Sequence, residues 1–317
     1  MSEPINLVSA ADERFALPLA VTLRSVAATC SRPIQAFVLS DDLSEQSKGA
    51  VERVCAERFG KMAIHWLDAD GRYLRDIPVG LPHLSRATFL RLGIGRLLGP
   101  EVRRILYLDS DTLVLKDVAE LWETPLDGNV VGAVRDFTTN RSGQPDGLGY
   151  CIEEAGLDPA KPLFNAGVLV IDMDAYRTLQ IEDQCVAFLR RWRDHIYSAD
   201  QDALNGVLHR RWKGLHFRWN VQTGLAVFRT INELSAEERE MLRNLDPAIL
   251  HFSGSSKPWN SGLRSAQCRQ YVRCVQATGW HGRAGFRLWQ AKRVAACVRS
   301  AMMNRLAPAQ LGAAANA

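Results

Sequence analysis

Short apolar, β-rich runs alternate with longer helix-patterned stretches through the first hundred residues, and no other feature restricts the fold as much. Residues 5–9 read as a strand, and 15–30 as a helix with Leu19, Leu23 and Val26 on one face. Residues 34–40 read as a second strand, 44–59 as a helix, and 62–67 as a third strand. Such alternation is the pattern of a mostly parallel sheet whose strands are joined by crossover helices. A helical stretch over 85–97 leads into 104–108, Arg-Ile-Leu-Tyr-Leu, whose short apolar run predicts a buried strand. Asp109-Ser-Asp111 follows at that strand's carboxyl end, the edge of an open α/β sheet where ligands bind.

Beyond this point 130–134 and 166–171 are further strand candidates. Between them, 138–162 is too long and too rich in Gly and Pro for a simple connection, and long irregular insertions of this kind tend to be substrate loops. Residues 182–195 and 200–208 pattern as helices, Ser235-Ala-Glu-Glu238 is a capping box opening another, and 248–252 is a last short strand. No internal repeat is present.

Hydrophobic residues make up 47% and charged residues 23% of the 317, which excludes collagen-like and wholly disordered chains. The net charge of +4 hides an asymmetry. All 35 acids lie at or before Asp246, against 29 Lys and Arg there, a net of −6; the last 71 residues carry ten Lys and Arg and no acid. A block of like charge is an interaction segment for a polyanion, and an anionic lipid surface is favoured over nucleic acid because Trp280 and Trp289 form no stacking platform. No nucleic-acid partner is expected. The seven cysteines are odd in number, with no C-x-x-C pair for zinc or thiol exchange, so they read as reduced thiols. No run reaches about 18 apolar residues, and the N-terminus lacks the pattern of a signal peptide. The expected location is cytoplasmic, with peripheral attachment to the inner face of the membrane.

D-x-D occurs four times, at Asp68/Asp70, Asp109/Asp111, Asp172/Asp174 and Asp200/Asp202. Alone, the pattern is more often a turn or a helix cap than a ligand pair. Two carboxylates just past a strand can nevertheless offer hard oxygens to a divalent ion whose remaining positions take phosphate oxygens.

A set of elements in order sharpens this. The run Arg104-Ile-Leu-Tyr-Leu-Asp-Ser-Asp-Thr-Leu-Val114 resembles the D-x-D segment of glycosyltransferase family 8, retaining enzymes that include bacterial lipooligosaccharide galactosyltransferases and glycogenin. Leu7-Val-Ser-Ala-Ala-Asp-Glu-Arg-Phe-Ala-Leu-Pro-Leu-Ala-Val21 is similar to that family's nucleotide-binding first strand and helix. His83 with Ser85, Arg91-Leu92, Phe164-Asn-Ala-Gly167, Asp200-Gln-Asp-Ala-Leu-Asn205 and His251-Phe-Ser-Gly-Ser-Ser-Lys-Pro-Trp259 follow in the family's order. The resemblance covers roughly residues 5 to 262.

It implies a GT-A-type α/β fold, a Rossmann-like and mostly parallel sheet with flanking helices, over residues 1–262. A basic helical extension over 263–317 would follow. The implied activity is transfer of galactose or glucose, with retention, from a UDP-sugar to a glycan or glycolipid acceptor such as lipopolysaccharide. Asp109, Asp111 and His251 are the implied metal ligands; two carboxylates and an imidazole suit manganese better than calcium, with magnesium the other candidate. Ala10, Asp12 and Phe15 match uracil and ribose positions, with the Phe15 ring able to stack on a base. Arg14 departs from the small amide expected beside them. His83 and Ser110 join the donor site, Gly254 lets backbone approach the pyrophosphate, and Lys257 supplies a point charge to it. Arg91, Asp136, Asn165, Ala166, Gly167, Asp200 and Gln201 resemble the set around the donor sugar, with Gln201, Asp200 and Asp136 nearest the reacting carbon.

Two other classes share some of these features. The Leu-Asp-Ser-Asp-Thr-Leu run also resembles the first motif of haloacid-dehalogenase-type phosphatases, but that motif stands near the N-terminus and precedes an acidic pair, and here it begins after a hundred residues with no Asp-Asp pair following. A non-catalytic nucleotide-sugar-binding protein would not need metal, pyrophosphate and sugar positions all intact.

Overall fold

The computed structural model describes residues 3–59, 62–68, 87–137, 154–158, 161–196, 198–222, 236, 240, 246–254, 257–260 and 265–306. They fall into two compact units, Met1–Ser253 and Gly254–Ala317.

The first unit opens with β1 (Ile5–Asp12), α1 (Ala16–Thr29), β2 (Ile34–Asp41), α2 (Glu45–Phe59) and β3 (Met62–Asp68). Then come α3 (Ala87–Leu90), α4 (Ile94–Leu97), β4 (Arg104–Leu108), β5 (Thr112–Val114), α5 (Ala119–Trp122) and β6 (Val131–Arg135). β7 (Phe164–Asp172), α6 (Met173–Thr178), α7 (Ile181–Arg191), α8 (Asp200–Leu208), β8 (Trp212–Gly214), β9 (Val221–Gln222) and β10 (Ile249–His251) complete it. The alternation expected at the start is there, with strand and helix ends moved by one to three residues.

A seven-stranded sheet runs β3-β2-β1-β4-β7-β6-β8. β1 pairs in parallel with β2 and β4, and β7 is antiparallel to both its neighbours. Strand order reverses between β1 and β4, so the carboxyl ends of these two strands flank the switch point where doubly wound sheets open a crevice. A second, three-stranded sheet, β5-β10-β9, begins at Thr112, three residues beyond Asp109.

Three expectations need correction. Within 85–97, the described part is not one helix: α3 and α4 are separated by a 3-10 turn, Arg91–Gly93, which sends the Arg91 side chain inward. The helix expected over 182–195 ends at Arg191, followed by the 3-10 turn Arg193–His195. β5, β8 and β9 escaped notice because runs of two or three residues carry no readable period. The insertion over 138–162 lies largely outside the described residues, as do His83, Ser85 and Ser235.

α1 carries two buried hydroxyls among its buried apolar residues, Thr22 and Ser25. The Thr22 hydroxyl lies 3.0 Å from the Ser110 carbonyl and 2.8 Å from that of Thr112, and Ser25 Oγ accepts from the Val114 amide at 3.0 Å. These bonds hold the chain between β4 and β5 from behind, satisfying backbone groups that would be costly to bury unpaired.

In the second unit, α9 (Ala266–Thr278) is capped by the Ser265 hydroxyl, which accepts from the Cys268 amide, and ends at Gly279 in the left-handed region, φ 68°. α10 (Gly282–Leu306) follows. Cys268, Tyr271 and Val275 are buried on α9, and the Arg293 guanidinium donates to the Pro258 carbonyl while lying over the Trp289 ring. Leu288 and Val294 are the large hydrophobic residues left exposed among the described ones.

Candidate active site

Asp109 directly follows β4, its amide donating to the Gly167 carbonyl of β7 at 2.8 Å. Asp111 then enters β5, and β5 pairs antiparallel with β10 so that His251 lies opposite Thr112. That pairing closes about 140 residues of chain. His251 Nε2 stands 3.2 Å from Asp111 Oδ1 and 3.6 Å from Asp109 Oδ2. One ligand atom from each of Asp109, Asp111 and His251 lies within 4.8 Å of the others.

The surroundings fit a metal ion. Two carboxylates and one imidazole are a donor set that can hold a divalent ion. The face behind His251 is kept free of side-chain bulk by Gly167, where a Cβ would come within 2.2 Å of His251 Cε1 and 3.0 Å of Asp109 Oδ2.

A second cluster adjoins this one. Arg91 is buried over the Tyr107 ring, 4.6 Å from its centroid, and forks between Asp109 Oδ1 at 2.7 Å and Asp200 Oδ2 at 2.5 Å. Its third bond runs to the Ala166 carbonyl at 2.7 Å. Burial alone would lower the Arg91 pKa, but Asp109 and Asp200 raise it above its ordinary value. Two carboxylates share this one guanidinium, and burial of the deeper one pushes the Asp200 carboxyl up to about 7 against the pull of Arg91. Burial likewise raises the Tyr107 phenol well above its usual range, so it stays protonated and donates to Asp109 Oδ1 at 3.1 Å.

The β6–β7 pairing shifts register between Ala133 and Val134. The irregularity frees β7 backbone groups from the ladder, as bulges near functional sites do. The Ala166 amide donates to Gln201 Oε1 and the Gly167 amide to Asn165 Oδ1, each at 3.0 Å. Asn165 Nδ2 and Gln201 Nε2 both donate to Asp136 Oδ2, at 3.0 and 2.9 Å. Asp136, Asn165, Ala166, Gly167 and Gln201 are thus joined in one hydrogen-bonded wall, with Asp200 beside Gln201 at the start of α8.

Ser110 is buried between the two acids, and Ala10 is buried near the carboxyl end of β1. Asp12 caps the turn Glu13–Phe15 by accepting from the Phe15 amide, and its Oδ2 also takes Arg14 Nη2 at 3.0 Å. Phe15 is half-buried. Gly254 and Lys257 belong to the second unit: Gly254 has φ 85°, a conformation that favours glycine, and the Lys257 amide donates to Asn260 Oδ1. Among the described residues, the other three D-x-D pairs do not gather a histidine. Asp172 caps α6, Asp174 pairs with Arg103, Asp68 with Lys48, and Asp202 accepts from the Ser198 amide.

The profile of Glycosyl transferase family 8 matches residues 6–262. The chain belongs to this family. Among curated relatives of this glycosyltransferase, General stress protein A of Bacillus subtilis is 29% identical over 285 residues, 88% of this chain and 96% of that one. Lipopolysaccharide 1,2-glucosyltransferase of Escherichia coli is 24% identical, over 62% of this chain and 56% of that one. A crystal structure of galactosyltransferase LgtC with donor and acceptor sugar analogues superposes with a TM-score of 0.74 at 27% identity, covering 87% of this chain and 95% of LgtC. The fold is therefore of the GT-A type, and the phosphatase alternative falls away. Tyr107, Thr22, Ser25 and Asn220 are site residues that sequence reasoning missed. Only Tyr107, inside the D-x-D run, carried a signal; a buried Asn between two bulky neighbours carries none.

Proposed function

We propose that this glycosyltransferase moves galactose or glucose from a UDP-sugar to a glycan acceptor, lipopolysaccharide or another cell-surface saccharide, with retention at the anomeric carbon. The convergence of Asp109, Asp111 and His251 beside the Asp136–Asn165–Gln201 wall carries the reading. Asp109, Asp111 and His251 would hold a divalent ion, manganese first and magnesium second. Such an ion supplies Lewis-acid stabilisation of the charge that develops on the leaving diphosphate. Ala10, Asp12 and Phe15 receive the uridine and Ser110 joins them; the family resemblance is the ground for assigning His83, Gly254 and Lys257 to the donor as well. Asn165, Asp200 and Arg91 orient the sugar. Gln201 is held against Asp136 and the Ala166 amide, so its side chain faces the reacting carbon in a fixed pose. The names of the relatives support a hexose donor and a lipopolysaccharide-type acceptor, and an active-site glutamine-to-glutamate variant of LgtC, 26% identical, supports a glutamine at such a site.

Hydrolysis of UDP-galactose, UDP-glucose and UDP-N-acetyl sugars, each with manganese and with EDTA, tests the reading. Manganese-dependent hydrolysis of one of the first two, lost in Asp111→Asn, is expected. Hydrolysis indifferent to metal, or undiminished in that variant, overturns the assignment.

The second unit we assign to an anionic membrane surface. Its ten Lys and Arg without an acid, and exposed Leu288 and Val294, support attachment at the interface. No helix among the described residues is long and apolar enough to cross a membrane.

A further inference from the structure

His251 Nδ1, the ring nitrogen turned away from the two acids, lies 3.0 Å from Asn220 Oδ1. Asn220 is fully buried, placed after the 3-10 turn Phe217–Trp219 and just before β9, which runs beside β10. Its amide nitrogen lies 2.8 Å from Asn165 Oδ1.

The polarity of this chain of hydrogen bonds is fixed by groups that have no choice. The Gly167 amide can only donate, so the Asn165 atom facing it is oxygen. Asn165 then presents its nitrogen to Asp136 Oδ2, a carboxylate oxygen that accepts. On the far side of Asp136, the Ala166 amide makes the same demand of Gln201, whose nitrogen also points at Asp136. Because Asn165 Oδ1 is an acceptor, Asn220 must offer it nitrogen. The remaining atom of Asn220, its oxygen, meets His251 Nδ1, which must therefore carry the proton. The lone pair is left on Nε2, the atom facing Asp109 and Asp111.

We propose that Asn220 is a positioning residue that presets His251 in the Nδ1–H form, and that this preset originates in the backbone amides of the β7 irregularity. Two consequences follow. The ring meets a metal ion with its lone pair already aimed, so no proton shift accompanies binding; and the histidine is joined through the single side chain of Asn220 to the wall that faces the sugar. Outer partners of this kind are worth about 10–100-fold in metal affinity. The consequence for metal rests on Asp109, Asp111 and His251 being its ligands, whereas the tautomer assignment does not.

The test uses the full chain labelled with 15N and freed of metal by EDTA. Two-bond proton–nitrogen correlation of the imidazole rings is recorded at a pH where they are neutral, with His251 assigned by the signal missing from His251→Gln. A protonated Nδ1 and bare Nε2 are expected in the wild type and in Asn220→Asp, which keeps an acceptor for the ring and loses only the donation to Asn165. Asn220→Ala should show both tautomers. Manganese alone is then titrated: affinity falls about 10–100-fold in Asn220→Ala and within several-fold in Asn220→Asp. A wild-type proton on Nε2 overturns the inference, as does an Asn220→Ala ring that keeps the wild-type pattern. If Asn220→Ala does not fold, the wild type and Asn220→Asp decide by the same pattern. Failure of the wild type to bind manganese, with the tautomer as stated, sinks the metal reading and supports the hydrogen-bond assignment.

Discussion

Replacing Gly167 by alanine should damage the proposed metal site at Asp109, Asp111 and His251 far more than the fold. Gly167 is an ordinary β7 residue whose backbone needs nothing special of glycine, so in a strand the change to alanine would by itself be neutral or favourable. The added methyl, however, would sit 2.2 Å from His251 Cε1 and 2.6 Å from Nδ1. Carbon atoms rest about 3.5–4.0 Å apart, so ring or strand must give by roughly 1.3–1.8 Å. The strand is pinned through its carbonyl to the Asp109 amide, and the ring sits between Asn220 on one side and the two acids on the other. The ring is the softer element. Overpacking of this size costs about 1–3 kcal/mol of stability, while a displacement near 1 Å at a reacting centre costs about 100-fold in rate. Manganese titration and thermal melts of the metal-free protein measure the two separately. Gly206→Ala is the control: its methyl would meet the Phe188 ring at 2.3 Å, overpacking the α7–α8 contact without touching the ligands. Gly167→Ala should lose at least about tenfold in metal affinity, as outer-sphere disturbances do, and Gly206→Ala should lose stability alone. Equal metal affinity in Gly167→Ala and wild type would refute the reasoning.

Arg91→Lys keeps the charge but cannot reach Asp109, Asp200 and the Ala166 carbonyl together, so turnover should fall and the midpoint in urea should drop; wild-type values for both would show that the fork is dispensable. The native Asp200 carboxyl holds its proton up to about 7, above its unfolded value, so the folded state binds more protons between about pH 4 and 7 and stability contributed by this group falls as pH rises through that window. Urea unfolding of metal-free protein at pH 5 and 8 should therefore show a steeper loss in the wild type than in Asp200→Asn; parallel losses would contradict the raised value. Lys257→Ala should weaken donor binding and slow transfer while leaving the melting temperature unchanged, as checked by donor titration and calorimetry. Full-length protein should sediment with anionic liposomes and not with neutral ones, by about 1 kcal/mol for each Lys or Arg near the surface, and a chain ending near residue 262 should not; equal binding to both lipids leaves the basic helices without a membrane role.

The sequence was sufficient wherever local pattern and structure are the same thing. β4 spans the residues its apolar run marked, α8 starts and stops at the residues its helical pattern gave, and the first three strands follow their β-rich runs. Burial acts on contiguous side chains there, so periodicity records it directly. The family's order of motifs likewise placed Asp136, Asn165, Asp200 and Gln201 in one site without any geometry. Choosing among four D-x-D pairs on chemistry alone was beyond local pattern, because each is the same pair of carboxylates at the same spacing. Pairing of three-residue β5 with three-residue β10 separates them, since among the described residues it is this contact that sets a histidine 3.2 Å from one of the acids. Asn220 is hidden for the same reason. Its neighbours in sequence, Trp219 and Val221, mark only a buried turn, whereas its role comes from Asn165, 55 residues away, and His251, 31 residues away. Hydrogen-bond polarity in that chain is imposed by backbone amides of β7, and an amide's direction is a property of the folded backbone that side-chain order along the chain does not encode.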